Sequence, residues 1–131
     1  MKRALTTLAA TALACAVIAP AAEAHTIKYE TTVTAKVKKG GKDAGTISGA
    51  VDSTSPRCVI DREVKVFQHV DNADDLLLGS DRTDDAGVWE LPTLSLTTGS
   101  YYALAAKSVL KKNKRHRHVC KRAASKDLSV K

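Results

Sequence analysis

The sequence predicts an all-β protein, an antiparallel β-sandwich of about seven or eight short strands closed by one disulfide. Three observations carry this. Apolar and polar residues alternate with a period of two along most of the chain after residue 24, which puts one row of side chains on each face of a pleated strand. Turn signals rich in Gly, Asp, Asn and Pro interrupt the alternation at regular intervals. No window after residue 24 sustains a 3.6-residue apolar period with caps at its ends. Strands with one apolar and one polar face are what two sheets require when they bury only their inner faces.

The first 24 residues, MKRALTTLAATALACAVIAPAAEA, stand outside that pattern. Lys2 and Arg3 form a positive head, an apolar run follows from Ala4 to Ala19, and Pro20 ends any helix. Ala22-Glu23-Ala24 then supplies the small-x-small pattern that a signal peptidase cleaves. The uncharged run falls short of the roughly 20 residues of a spanning helix, and no later segment is apolar enough to cross a bilayer. Residues 1–24 are therefore expected to be a signal peptide, and 25–131 a single exported domain starting at His25. Loss of the leader removes Cys15 and leaves Cys58 and Cys120, which allow one intrachain pairing in an oxidising compartment. In the chain-entropy description that bond disfavours the unfolded ensemble by on the order of 4 kcal/mol.

The elements follow in order. In TIKYETTVTAKVK, Ile27, Tyr29, Thr31, Val33, Ala35 and Val37 fall on one side and Thr26, Lys28, Glu30, Thr32, Thr34 and Lys36 on the other. KKGGKDAG is a turn in which Asp43 can take an unusual backbone angle. TISGAV alternates through Ile47, Gly49 and Val51, and Pro56 in DSTSP marks a strand edge. EVKVFQHV groups Val64, Val66, Gln68 and Val70 against Lys65, Phe67 and His69. LLLGSDRT is the next strand, DDAG a compact turn, and VWEL returns with Trp89 and Leu91 on one side. Pro92 and TLSLTTG predict a crossing. SYYALAAKSV carries Tyr102, Leu104 and Ala106 on one face, RHVCKRA resumes after a basic interruption, and KDLSV is a short last strand. Antibody-type topology is disfavoured: Trp89 lies midway between the cysteines, and the residue two after Tyr101 is Ala103 rather than cysteine.

GAVDSTSPRCVIDREVKVFQ, LLGSDRTDDAGVWEL, GSYYALA and VCKRAASKDLSV occur in that order. Together they resemble the secreted bacterial modules with a transthyretin-like (prealbumin, carboxypeptidase-regulatory-like) sandwich. The pattern falls on Gly49 and Val51, Cys58, Arg62, Val64 and Val66, then Thr83, Asp84, Gly87 and Trp89, then Gly99, Tyr101 and Tyr102, and Cys120. It covers about three quarters of the exported chain. The resemblance implies an extracellular accessory or adhesive module and no catalytic residue.

Charge is polarised along the chain. The whole sequence carries +7, and removal of Lys2, Arg3 and Glu23 with the leader leaves 19 basic and 13 acidic residues, a net of +6. From Lys107 to Lys131 there are ten Lys and Arg against Asp127 alone, whereas residues 25–106 hold nine basic and twelve acidic residues. The basic centre is KKNKRHRHVC, where Lys111, Lys112, Lys114, Arg115 and Arg117 are the candidate contacts for an anion. Strands flank it on both sides, so it predicts a solvated hairpin tip turned at Asn113. The partner such a tip would take is an anionic wall polymer, lipid headgroup or acidic polysaccharide. Nucleic acid is excluded as a partner because no aromatics are interleaved with the charge and the chain is exported.

Other chemistry finds less footing. TDDAGVW has a structural purpose: Asp84 bonds turn amides, Gly87 takes a positive φ and Trp89 re-enters the core. Asp71, Asp74, Asp75, Asp81, Asp84 and Asp85 lack calcium-loop spacing. No cofactor is expected. There is no nucleophile elbow, HExxH or phosphate loop, so the expectation is a non-enzyme. The alternative is a small secreted copper protein in which the amine and imidazole of an N-terminal His25 chelate the metal. Nothing in the sequence brings His69, His116 or His118 to that spot. No motif encodes an oligomeric state.

Overall fold

A computed structural model describes residues 25–113 and 115–131, apart from the side chains of Thr93 and Lys111. The expected signal peptide and Lys114 lie outside the described residues. The chain runs β1 (His25–Tyr29), β2 (Thr31–Lys39), β3 (Ala44–Ser53), a 3-10 turn (Pro56–Cys58), β4 (Glu63–Gln68) and β5 (Leu76–Arg82). It continues with β6 (Val88–Ser95), β7 (Gly99–Ala105), β8 (Ser108–Lys112), β9 (His116–Cys120), β10 (Ala123–Ala124) and β11 (Leu128–Val130). Among the described residues there is no α-helix, so none is long and apolar enough to cross a membrane.

Two antiparallel sheets form the sandwich. One has the order β2-β3-β6; the other has β10-β7-β4-β5, with β11 also paired to β7. A third sheet, β1-β9-β8, combines an antiparallel hairpin with a parallel β1–β9 pair. There are more strands than the periodicity predicts because three predicted runs divide. The first alternating run breaks at Glu30, so that β1 and β2 join different sheets. SYYALAAKSV breaks at Ala106 and Lys107 into β7 and β8, and RHVCKRA breaks at Lys121 and Arg122 into β9 and the two-residue β10, while KDLSV holds the expected last strand, β11. The predicted crossing falls at residues 96–98, between β6 of one sheet and β7 of the other, and does not include Pro92. β6 runs through that proline as an edge strand, at the point where the register against β3 slips between Gly45 and Ile47, a place where a missing N–H is tolerated.

The core lies between the two larger sheets. Val33, Ile47, Val51 and Trp89 come from one, and Val64, Val66, Tyr101, Ala103, Ala105 and Val130 from the other. The faces predicted for β2 and β4 are the observed ones. The face predicted for β7 is reversed: Tyr101 is fully buried, and Tyr102 lies half-buried on the outer surface, not in the core. Both parities of SYYALA offer a tyrosine and apolar partners, so alternation alone is degenerate. Register decides it, because Ala105 and Ala103 sit opposite the inward Val64 and Val66, and paired residues share a face. Tyr101 OH donates to the Thr97 carbonyl four residues upstream at 2.6 Å. That is the hydrogen bond of a tyrosine corner, present here without the cysteine that accompanies it in antibody domains.

The turn at residues 84–87 is built as expected. Asp84 Oδ1 accepts from the N–H groups of Ala86 (2.9 Å) and Val88 (2.8 Å). Gly87 has φ +80°, and a Cβ there would stand 2.4 Å from the Val51 carbonyl oxygen, so both its conformation and its surroundings require glycine. Asp43 likewise takes the left-handed angle foreseen for it, at φ 55°. The Cys58–Cys120 disulfide is formed between buried residues whose Cα atoms are 5.5 Å apart. It joins the 3-10 turn to the end of β9 and so fastens the third sheet to the sandwich.

Candidate functional site

The basic run forms a hairpin tip, as its flanking strands require. β8 and β9 pair antiparallel, with Lys112 opposite Arg117. Asn113 turns the chain with its side chain: its Oδ1 accepts from the N–H groups of Arg115 (2.9 Å) and His116 (2.6 Å), and its own N–H donates to the His116 carbonyl at 2.9 Å. Lys112 and Arg115 are exposed. Arg117 is half-buried, with an Nε that is out of solvent and without a hydrogen-bond partner among the described residues. The backbone of Lys111 belongs to the same hairpin. Among the described residues no carboxylate pairs with Lys112, Arg115 or Arg117; the ion pairs lie elsewhere, as with Lys121 and Glu30.

The third sheet sorts its side chains by face. In a parallel pair the residues in register share a side, and so do residues i and i+2. His25 is in register with His116 and Ile27 with His118, so three histidines occupy one face of β1 and β9. Thr26, Lys28 and Arg117 occupy the other. His25 N–H donates to the Arg115 carbonyl at 3.1 Å. The His118 ring stacks on Tyr29, and its Nδ1 lies 2.9 Å from the Tyr29 hydroxyl. The juxtaposition of His25 and His116 was invisible in the sequence, because parallel pairing of segments 91 residues apart leaves no local signal. Among the described residues no three His, Cys, Asp or Glu side chains form a cluster able to hold a metal ion. Of the aspartates weighed for calcium, Asp84 and Asp81 are engaged by backbone amides, Asp81 Oδ2 accepting from the Glu90 N–H at 2.8 Å.

Two further constellations have contacts that no motif reveals. Arg62, only 5% exposed, donates from Nη1 to the Cys58 carbonyl (3.1 Å) and from Nη2 to those of Ala106 (2.5 Å) and Lys121 (3.0 Å). Burial pushes its guanidinium pKa down from the ordinary value. Parity could have found it, since Arg62 continues the inward row of Val64 and Val66. On the outer face of β4 and β7, Phe67, Tyr102 and His69 stack in sequence, and His69 stands between Asp75 and Asp127. Asp127 lies 58 residues from His69 in the chain, so only the fold brings them together.

What fold and site define is an all-β protein of several sheets with a buried disulfide, the kind of bond that persists in an oxidising, extracytoplasmic setting. No protein-family model matches the chain, and no curated protein matches it either.

Proposed function

We propose that the chain is an exported, non-catalytic β-sandwich module of transthyretin-like type whose cationic hairpin tip rests on an anionic polymer of the cell envelope. The observation that carries this reading is a set of cations, Lys112, Arg115 and Arg117, gathered on one hairpin with no carboxylate paired to them among the described residues. Stripped of internal partners, such charges gain most from an external polyanion, and the attraction is screened by salt. The buried disulfide and the ordered motifs support the exported, transthyretin-like part of the reading. The test is retention on an immobilised sulfated polysaccharide for the native chain and for Lys112→Glu/Arg115→Glu. The native chain is expected to elute at higher salt, with binding lost in the charge-reversed variant. Equal elution of the two proteins would leave the tip no more than a solvated loop.

A second reading is favoured by one observation, the register that places His25 beside His116. If cleavage frees the His25 amine, that amine, its imidazole and the His116 imidazole supply three nitrogen donors suited to copper(II). Copper titration of protein with an authentic His25 terminus tests it. One-to-one binding should be abolished by one extra residue ahead of His25 and weakened by His116→Ala. Indifference to both changes would remove the reading.

A further inference from the structure

We propose that His69 is a proton-operated clasp that seats the C-terminal strand β11 on the edge of the larger sheet. Its imidazole lies just past the end of β4, with Nδ1 3.2 Å from Asp75 Oδ1 and Nε2 3.3 Å from Asp127 Oδ1. An ionised carboxylate can only accept hydrogen bonds, so both contacts are hydrogen bonds only when both ring nitrogens carry a proton. The geometry therefore selects the imidazolium. The ring is also held from the side, its centroid 4.8 Å from that of Tyr102, whose hydroxyl donates to the other oxygen of Asp75 at 2.7 Å.

Three elements thus meet at one proton. The loop before β5 brings Asp75, β7 brings Tyr102, and the segment entering β11 brings Asp127. These two carboxylates are the charges acting on the imidazole, and both raise its pKa, the hydrogen bond that His69 donates to Asp127 most strongly. Arg122 is the further charge in the group, acting on the Tyr102 hydroxyl. Asp127 immediately precedes Leu128, Ser129 and Val130, which pair with Tyr101, Ser100 and Gly99. A strand of three residues has little ladder of its own, while Val130 is buried in the core.

Loss of the proton leaves one ring nitrogen facing a carboxylate lone pair. Asp75 keeps its bond from Tyr102 and is 29% exposed, whereas Asp127 is 64% exposed and bonded through His69. Asp127 is therefore the arm that lets go. β11 loosens, and the edge of β7 at Gly99–Tyr101 opens. Because the folded pKa of His69 is raised, the clasp is complete below the ordinary imidazole value of about 6.5 and is lost as pH rises through the folded value.

The experiment is an NMR pH titration of the intact chain with amide exchange at Leu128 and Val130, whose register partners Tyr101 and Gly99 face β11. The His69 resonances should titrate above the ordinary imidazole midpoint. Exchange in β11, corrected for its intrinsic pH dependence, should quicken about threefold across that titration, in line with an exposed ion pair, while exchange in β4 stays level. Asp127→Asn should lower the His69 midpoint and loosen β11 already at low pH, and His69→Gln should erase the step. Protection of β11 that is flat through the His69 titration, or a midpoint indifferent to Asp127→Asn, would overturn the clasp.

Discussion

Arg62, a residue only 5% exposed, has three backbone carbonyls and, among the described residues, no carboxylate as guanidinium partners, an arrangement that makes one side chain hold three loops at once. Cys58 belongs to the 3-10 turn, Ala106 to the link between β7 and β8, and Lys121 to the link between β9 and β10. The backbone of Arg62 is fixed as well, its N–H donating to Thr83 Oγ1 at 2.7 Å while Thr83 Oγ1 donates to the Val59 carbonyl. Burying the charge is costly, but removing it leaves the buried Cys58 carbonyl without this donor and unties the partly buried links at Ala106 and Lys121, and the second effect is the larger. Arg62→Met is expected to destabilise the fold by about 2–4 kcal/mol. Arg62→Lys should recover little of that, since a single ammonium cannot reproduce a planar fork reaching three separate oxygens. Urea unfolding of the three proteins checks both expectations; a Met variant with the native midpoint would show that the guanidinium is merely tolerated.

At the scale of elements, alternation made most of the sandwich legible and failed where two parities carry similar information. β2 and β4 read correctly because their inner rows are the more apolar, as with Val33 against Thr32 and Thr34, and Val64 and Val66 against Glu63 and Lys65. β7 read backwards because Tyr102 and Leu104 outweigh Tyr101 and Ala103 on any hydropathy count, while the pairing that fixes the face comes from β4. The turn at Asp84 and Gly87 was legible because its chemistry is local. The hairpin at Asn113 was legible in place but not in manner: an Asx-type bond from its side chain does the turning. Of the third sheet only the β8–β9 hairpin was legible. The parallel β1–β9 pairing joins segments 91 residues apart, and with it came the alignment of His25 and His116 and the separation of a histidine face from a cationic one.

For the molecule as a whole, the disulfide decides whether the cationic tip is a rigid part of the body or a tethered arm. The third sheet joins the sandwich through the runs of chain from β1 into β2, β7 into β8 and β9 into β10, the buried Val119, the bonds from Arg62 to the Ala106 and Lys121 carbonyls, and Cys58–Cys120. The cross-link spans 62 residues, so its removal restores a long loop to the unfolded ensemble, a change of about 2–4 kcal/mol in typical cases. The loss should also be uneven. β3 and β4 lie in the core and keep their ladders on both sides, whereas β9 loses the bond at its own C-terminal end. A Cys58→Ser/Cys120→Ser chain is therefore expected to unfold at lower urea, with exchange of the β1 and β9 amides accelerated ahead of those in β3 and β4. Uniform acceleration across all strands would mean that sandwich and third sheet open as one unit. An unchanged midpoint would mean that packing around Val119 and Arg62 already holds the sheet, with the sulfur bridge adding nothing to it.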